Sequence, residues 1–233
     1  MMKKLLSLLL ILQSLLVYGQ WTSVSIPTTA SFRALKVKGN HIWAGGTQGT
    51  VGHSSNQGKT WEFMQVPGAP NLDFRDLTIL NDQEVILMSA GLSEEGKARL
   101  YATNDGGKSW SLKLNIQESG YFFDCLQWDI KNQKGWLLTD PINQKLSLFS
   151  ITKDTALHVN STKAHPLQAK EAFFAASGSS MIQMGDKLHL IGGGADYVNI
   201  HQYNIDLDSW TTIPLGINAG EAKGYFSIGA KNK

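Results

Sequence analysis

Cysteine, arginine and helical periodicity are scarce in this sequence, and each of these features excludes some classes of fold or function. Cys125 is the one cysteine among 233 residues, so no disulfide can form within the chain and packing must stabilise the fold. It lies in an apolar strand pattern, which predicts a buried thiol rather than a nucleophile. The six histidines are dispersed, so the sequence indicates no redox metal site and no cofactor.

Charge and glycine patterns exclude further classes of protein. Lys and Arg number 21 against 19 Asp and Glu, and the basic residues are scattered, so no nucleic-acid-binding surface is indicated. The "IGGG" stretch at 191–194 has neither a helix context nor a following lysine, so a phosphate loop or a dehydrogenase is not supported. Hydrophobic residues make up 42% of the chain, and its 23 glycines separate strand-length runs of β-branched and aromatic residues. This composition favours an all-β fold.

The first nineteen residues have the pattern of a secretory signal peptide. A short basic start, "MMKK", is followed by an apolar run and by small residues ending at Gly19. We expect cleavage after Gly19 and a secreted or periplasmic mature chain. The apolar run is shorter than the ~20 residues that a membrane span needs, so no span is expected after cleavage.

Two phrases recur along the chain with a period near fifty residues. "SNQGKTWEFMQVP" at 55–67 and "TNDGGKSWSLKLN" at 103–115 are copies, and a weaker copy lies at 204–216. A second phrase carries an aromatic residue whose successive spacings are 42, 49, 51 and 52, at Phe32, Phe74, Phe123, Phe174 and Phe226. Two phrases with one period indicate a single repeated supersecondary unit.

Each repeat contains four short strands, which predicts the blades of a β-propeller rather than a β-sandwich. Blades are expected to start near residues 31, 73, 121 and 172, with one strand of a fifth blade near 224. Residues 21–27 match the end of a repeat. In a closed propeller, a leading segment of this kind forms the outer strand of the last blade and closes the ring. We expect residues 20–233 to be a propeller domain that is incomplete at the C-terminus, part of a six- or seven-bladed ring. A four-bladed ring closed by residues 21–27 remains the alternative.

The tryptophan phrase matches the Asp-box, [ST]-x-D-x-G-x-[ST]-W. The matching positions are Thr103, Asp105, Gly107, Ser109 and Trp110, and in the first copy Ser54, Asn56, Gly58, Thr60 and Trp61. Every position has a structural role, because Asp or Asn accepts hydrogen bonds from its own turn, Gly takes a positive φ, Ser or Thr closes the hairpin, and Trp packs beneath it. Asn56 could not act as an acid, and the turn lacks the oxygens of a calcium loop, so no metal is expected.

Residues 20–233 resemble the Asp-box (BNR) propellers, and in particular the bacterial secreted branch of the photosystem II stability/assembly factor-like family. The resemblance is carried by residues 45–77, by "ATNDGGKSW", by residues 122–141 and by "EAFFAASGSSM". It implies a seven-bladed propeller, of which this chain holds a little over half. It also implies a protein-binding or assembly module rather than an enzyme, although fold alone does not transfer a function.

Polar residues within apolar strands are the candidates for a ligand site. They are Arg33, Arg75, Asp76, Asp124, Asp140 and Glu171, with Asp129 beside them. Asp124 occupies the position at which the two preceding blades carry arginine, so Arg33, Arg75 and Asp124 are expected to form a ring near the central channel. The expected partner is a protein or glycan of the exporting compartment. Salt bridges between blades are the alternative interpretation of the same residues.

A sialidase-like glycoside hydrolase acting on acidic glycans is the alternative function, because Asp-boxes also occur in that fold. Such an enzyme needs three arginines around a carboxylate, and the chain has three arginines: Arg33, Arg75 and Arg99. Arg33 and Arg75 fall at the same repeat position, however, which duplication alone explains. No Tyr with a partnering Glu can be placed, so no catalytic residue is assigned and a non-catalytic role is favoured.

Overall fold

The computed structural model describes residues 23–129, 131–152, 160–175, 178–221 and 223–230. The predicted signal peptide lies outside these residues, as does the start of the expected closing strand. Within the described ranges, no helix has the length and apolar character to cross a membrane.

The described chain forms four antiparallel sheets, each built from consecutive strands. The first blade consists of β1 (Phe32–Lys38), β2 (His41–Gly46), β3 (Thr50–Ser54) and β4 (Glu62–Gln65). The second consists of β5 (Phe74–Ile79), β6 (Val85–Ser89), β7 (Arg99–Thr103) and β8 (Ser111–Asn115). The third consists of β9 (Phe123–Asp129), β10 (Lys134–Ile142), β11 (Lys145–Thr152) and β12 (Asn160–Ser161), with β13 (His165–Pro166) also paired to β11. The fourth consists of β14 (Met181–Met184), β15 (Lys187–Ile191), β16 (Tyr197–Asn204) and β17 (Ser209–Asn218).

This architecture confirms the prediction of an all-β fold built from four-stranded repeats. The helical structure in the described residues amounts to a three-residue 3-10 turn at Ser93–Glu95. Consecutive blades meet through their first strands, because β1 packs against β5, β5 against β9, and β9 against β14. These four strands therefore form the inner wall of the assembly, as the first strands of propeller blades do.

The fourth blade begins later than the repeat spacing predicts. The aromatic phrase near residue 172 forms only an isolated bridge, Ala172 to Gly193, and the inner strand β14 starts at Met181. In the first three blades one extra residue interrupts the pairing at this point, whereas the fourth blade carries a longer excursion. Phe173 and Ala175, within this excursion, are buried. The repeat spacing aligns Phe174 with Phe123, but the buried ring of this phrase is Phe173, and a longer connection separates the phrase from the strand.

Apolar side chains of neighbouring blades fill the spaces between the sheets. Trp43 of the first blade packs with Phe74, Leu77 and Tyr101 of the second. A second cluster joins blades two and three, and a third joins blades three and four around Trp136, Leu188 and Tyr203. The inner strands β5 and β9 are mostly buried, which explains why they lack a clean alternation of apolar and polar residues.

The two repeated turns, at 54–61 and 103–110, close the β3–β4 and β7–β8 hairpins with the same hydrogen bonds. In the second turn Asp105 Oδ1 accepts from Ser109 N at 2.9 Å, and Thr103 Oγ1 accepts from Gly107 N at 2.9 Å. The hydrogen bonds from Ser109 hold the pKa of Asp105 down, at about 2, so it remains a charged acceptor. In the first turn Asn56 and Ser54 accept the equivalent bonds at 2.9 and 2.8 Å. An Asn can replace the Asp because its Oδ1 accepts the same backbone bond, while its Nδ2 donates to Thr60 Oγ1 at 2.8 Å and so reverses the bond that Asp105 Oδ2 accepts from Ser109 Oγ.

The second turn also packs between blades. Trp110 meets Trp43 of the first blade edge to face, with ring centroids 6.0 Å apart. Gly107 has a φ of +89°, and a Cβ placed there would lie 2.7 Å from Trp43 Cη2. Glycine at this position is therefore required twice, for its backbone conformation and for the approach of the tryptophan.

Residues at both ends of the described chain lie beside the blades without forming named strands. The described part of the expected closing strand, residues 23–27, is irregular, and Val24 and Ser25 lie near Gly58 and Trp61 of the first turn. Near the other end, Tyr225 N donates to Gly192 O at 3.2 Å and Ile228 N donates to Ser179 O at 2.9 Å. The segment expected to open a fifth blade thus runs along the fourth.

Alanine substitutions at Gly58 and Gly107 separate the requirement for a positive φ from the requirement for close packing. Gly58 has a φ of +82°, but a methyl group added there would make ordinary contacts, the nearest atom being Ile42 Cδ1 at 3.5 Å. We expect Gly58→Ala to lower the free energy of unfolding by about 1 kcal/mol and Gly107→Ala by about 3 kcal/mol, because the second also displaces Trp43. Denaturant unfolding measures both, and equal losses would contradict this packing.

Candidate functional site

A bulge in each of the first three inner strands aims one side chain out of the regular pairing. In β1, Phe32 pairs with Gly46 and Ala34 with Gly45, which leaves Arg33 as the extra residue. The same interruption leaves Arg75 unpaired in β5 and Asp124 unpaired in β9. Bulges commonly redirect side chains next to binding sites. The predicted equivalence of Arg33, Arg75 and Asp124 therefore has a backbone cause.

These three side chains meet in one open pocket at the start of the inner strands, called here the inner pocket. Its volume is about 420 Å³. Four of the predicted site residues line it, together with aromatic residues from the third and fourth blades. The lining is Arg33, Arg75, Asp124, Asp140, Phe122, Phe173, Phe174, Ala175 and Phe226.

Asp73 holds the two arginines of the inner pocket together. Arg75 Nε donates to Asp73 Oδ2 at 2.8 Å, and Arg33 Nη1 lies 3.3 Å from the same oxygen. Sharing one carboxylate fixes both guanidinium groups while leaving other N–H groups of each fork for an acceptor. This side of the pocket thus carries two cations and one anion.

Asp124 and Asp140 form the acidic side. Asp124 is buried, and no donor among the described residues bonds to either of its carboxylate oxygens. Burial, and then the charge of Asp140, raises the pKa of Asp124 well above its usual range, and Arg75 opposes this shift. Burial also raises the pKa of Asp140, whose Oδ1 accepts a 3.4 Å hydrogen bond from Phe173 N. A carboxyl group of this kind can gain a partner from a ligand.

Asp76 lies next to the inner pocket in sequence but does not line it. Its carboxylate accepts hydrogen bonds from the backbone N–H groups of Leu77 and Leu126, each at 2.8 Å, and lies 3.2 Å from Lys36 Nζ. Burial raises the pKa of Asp76 to about 6, and Lys36 limits the rise. Asp76 therefore joins three blades. This agrees with the alternative interpretation of the polar strand residues, namely that they form salt bridges between blades.

Glu171 and Asp129 also lie outside the inner pocket. Glu171 is buried, with Oε1 2.7 Å from His201 Nε2 and Oε2 accepting from Gln168 N at 3.1 Å. Asp129 accepts from Gln183 Nε2 of the fourth blade at 2.8 Å. Arg99 sits on β7 beside Tyr101 and is not part of the pocket lining. The described residues contain no group of three or more His, Cys, Asp or Glu side chains that could hold a metal ion.

Sequence reasoning missed the aromatic wall of the inner pocket and the role of Asp73. The doublets at 122–123 and 173–174 were visible as repeat markers, and in each doublet one ring is buried in the core. The other ring, Phe122 or Phe174, is less buried and lines the pocket together with Phe173. Phe174 packs on Phe226 with ring centroids 4.6 Å apart. A doublet at an otherwise single aromatic position was the available signal.

Solved structures share this fold at low sequence identity. YCF48 bound to a D1 peptide is 16% identical, with a TM-score of 0.56 over 83% of this chain and 56% of that one. The extracellular domain of a hybrid two-component system from B. thetaiotaomicron is 16% identical, with a TM-score of 0.57 over 84% of this chain and 23% of that one. The GH74 xyloglucanase from Xanthomonas campestris is 12% identical, with a TM-score of 0.51 over 75% of this chain and 28% of that one.

These likenesses establish the fold, a β-propeller, and nothing finer. No protein-family model matches the sequence, and no curated protein matches it significantly. The chain spans just over half of the YCF48 chain and about a quarter of the other two.

The unpartnered carboxyl group of Asp124 is expected to lower the free energy of unfolding as the pH rises. Because its pKa is raised in the folded state, its contribution to stability is complete below the usual carboxyl pKa and is lost as the pH rises through the raised one. We expect the free energy of unfolding of Asp124→Asn, relative to the parent, to increase by about 1 kcal/mol or more between about pH 4 and about pH 9. Denaturant unfolding across this range measures the difference.

Asp82→Asn is the matched control, since the side chain of Asp82 is 73% exposed. It should show no such trend. A fall in the relative stability of Asp124→Asn with rising pH would mean that the Asp124 carboxylate is paired in the folded protein.

Proposed function

We propose that this protein is an exported, non-catalytic propeller that binds a protein partner through the inner pocket. The observation that carries the proposal is the inner pocket itself. Three successive bulges direct charged side chains into it, its aromatic wall includes a half-exposed Phe226, and no described residue donates a hydrogen bond to Asp124. Concave sites with apolar walls and a few converging polar groups are typical of ligand binding. Buried carboxylates in folded proteins are normally hydrogen-bonded, and among the described residues Asp124 is the one carboxylate with both oxygens buried and without a donor.

A peptide is the ligand class that we favour. The similarly folded YCF48 is described as bound to a D1 peptide, and the arginine pair here offers N–H groups suited to carbonyl and carboxylate oxygens. The proposal includes membership of the Asp-box propellers and of their photosystem II assembly factor-like branch. The repeated turns with their matching hydrogen bonds support it. Export to the periplasm or the medium rests on the signal-peptide pattern of residues 1–19.

A sialidase-like glycoside hydrolase is the second candidate. Its support is that two arginines and two carboxyl groups with raised pKa values share one open pocket, as an acid catalyst and an acidic sugar would require. The absence of Arg99 from the pocket lining weakens it, because the expected cluster of three arginines is not assembled there.

Peptide display tests the binding function. Selection of random peptides on the whole protein should yield binders whose affinity falls at least about tenfold in Phe226→Ser, because this ring forms an exposed part of the pocket wall. Leu207→Ser is the matched control, since Leu207 is 71% exposed and is not part of the pocket lining. Its affinities should equal those of the parent. A selection without binders sensitive to Phe226→Ser would overturn the proposal.

A fluorogenic sialoside separates the second candidate from the first. We expect no turnover above that of the buffer at any pH from about 4 to about 8, the range in which such carboxyl groups act. Turnover by the parent that Asp140→Asn abolishes would establish the glycosidase instead.

A further inference from the structure

The acidic side of the inner pocket differs from the other buried acids of the described chain. Asp76 is compensated by Lys36 and two backbone amides, and Glu171 by His201 and the amide of Gln168. Asp124 is equally buried, yet both of its oxygens lack a donor. A buried carboxyl without partners is unfavourable, so packing alone does not account for it.

The nearby arginines do not supply the missing donors. Arg75 directs its Nε to Asp73, and Arg33 lies against the same carboxylate. Asp140 adds a second carboxyl near Asp124 rather than a counter-charge. Arg75 therefore acts on Asp124 through its charge, and no donor among the described residues bonds to the Asp124 carboxylate.

The walls suit a long side chain with a charged end. Phe122, Phe173, Phe174 and Phe226 line the approach, and aromatic faces accept both methylene groups and cations. The pocket opens to solvent and has a volume of about 420 Å³, which admits a side chain rather than a bulky domain.

We infer that Asp124 and Asp140 bind the side chain of a lysine or arginine of the partner peptide, with its stem against the phenylalanine rings. The neighbouring Arg33 and Arg75 then face acceptor oxygens of the same peptide. This inference rests on the proposed function and adds to it the charge of the residue that the pocket selects. The cation supplies the donors that Asp124 lacks, so binding favours the ionised form of a carboxyl group whose pKa is raised by burial in the free protein.

Peptides from the display selection provide the test. In binders that lose affinity in Phe226→Ser, we expect an enriched Lys or Arg, and replacement of this residue by norleucine should weaken binding at least about tenfold. In the protein, Asp124→Asn should produce a similar loss for the basic peptide. It should produce no further loss for the norleucine peptide. Asp140→Asn should act in the same direction, and Asp82→Asn should have no effect.

The outcomes separate the inference from the function beneath it. Pocket-dependent binders without an enriched basic residue, or with affinity unchanged in Asp124→Asn and Asp140→Asn, would overturn the inference and leave the binding function standing. Failure to obtain any pocket-dependent binder would overturn both. Thermal unfolding of each variant separates loss of a contact from loss of the fold. The unfolding midpoint of Asp124→Asn is expected to equal or exceed that of the parent.

Discussion

The inner wall of this propeller depends on the buried carboxylate of Asp76. It lies on β5, receives Lys36 from β1, and accepts the backbone N–H of Leu126 from β9. Gly178 of the fourth blade fits against the same carboxylate, and a Cβ there would lie 2.0 Å from Asp76 Cγ. One side chain thus touches all four blades. Removing a partner from such a buried group leaves other polar atoms uncompensated, which is more costly than the loss of a surface ion pair.

The contrast between Asp76 and Asp124 connects the fold to the proposed function. Both are buried acids on inner strands, and burial raises the pKa of both. Asp76 points towards the neighbouring inner strands, where its hydrogen bonds are satisfied. Asp124 is the extra residue in the bulge of its strand and lines the inner pocket, and no donor among the described residues bonds to its carboxylate oxygens. The bulge that interrupts pairing in each of the first three blades is therefore where the proposed binding surface departs from the regular strand pairing.

The repeat, the strand content and the turn chemistry could be predicted because they are local. Asp105 and Ser109 are four residues apart, and their hydrogen bonds depend on a single hairpin. The meeting of Arg33, Arg75 and Asp124 was also within reach, because equivalent positions in successive blades lie side by side. The roles of Asp76 and Glu171 were not, because Leu126 and His201 lie 50 and 30 residues away. The late start of β14 was hidden because the aromatic phrase kept its spacing.

The free energy of unfolding of Asp76→Ala at about pH 8, where this carboxyl is largely ionised, tests the central claim that its carboxylate holds the inner strands together. We predict a loss of about 3 kcal/mol or more relative to the parent, because Lys36 and the Leu126 amide lose their shared partner. Asp82→Ala, at an exposed position, should change little. A loss for Asp76→Ala no larger than that of Asp82→Ala would contradict this account of the inner wall.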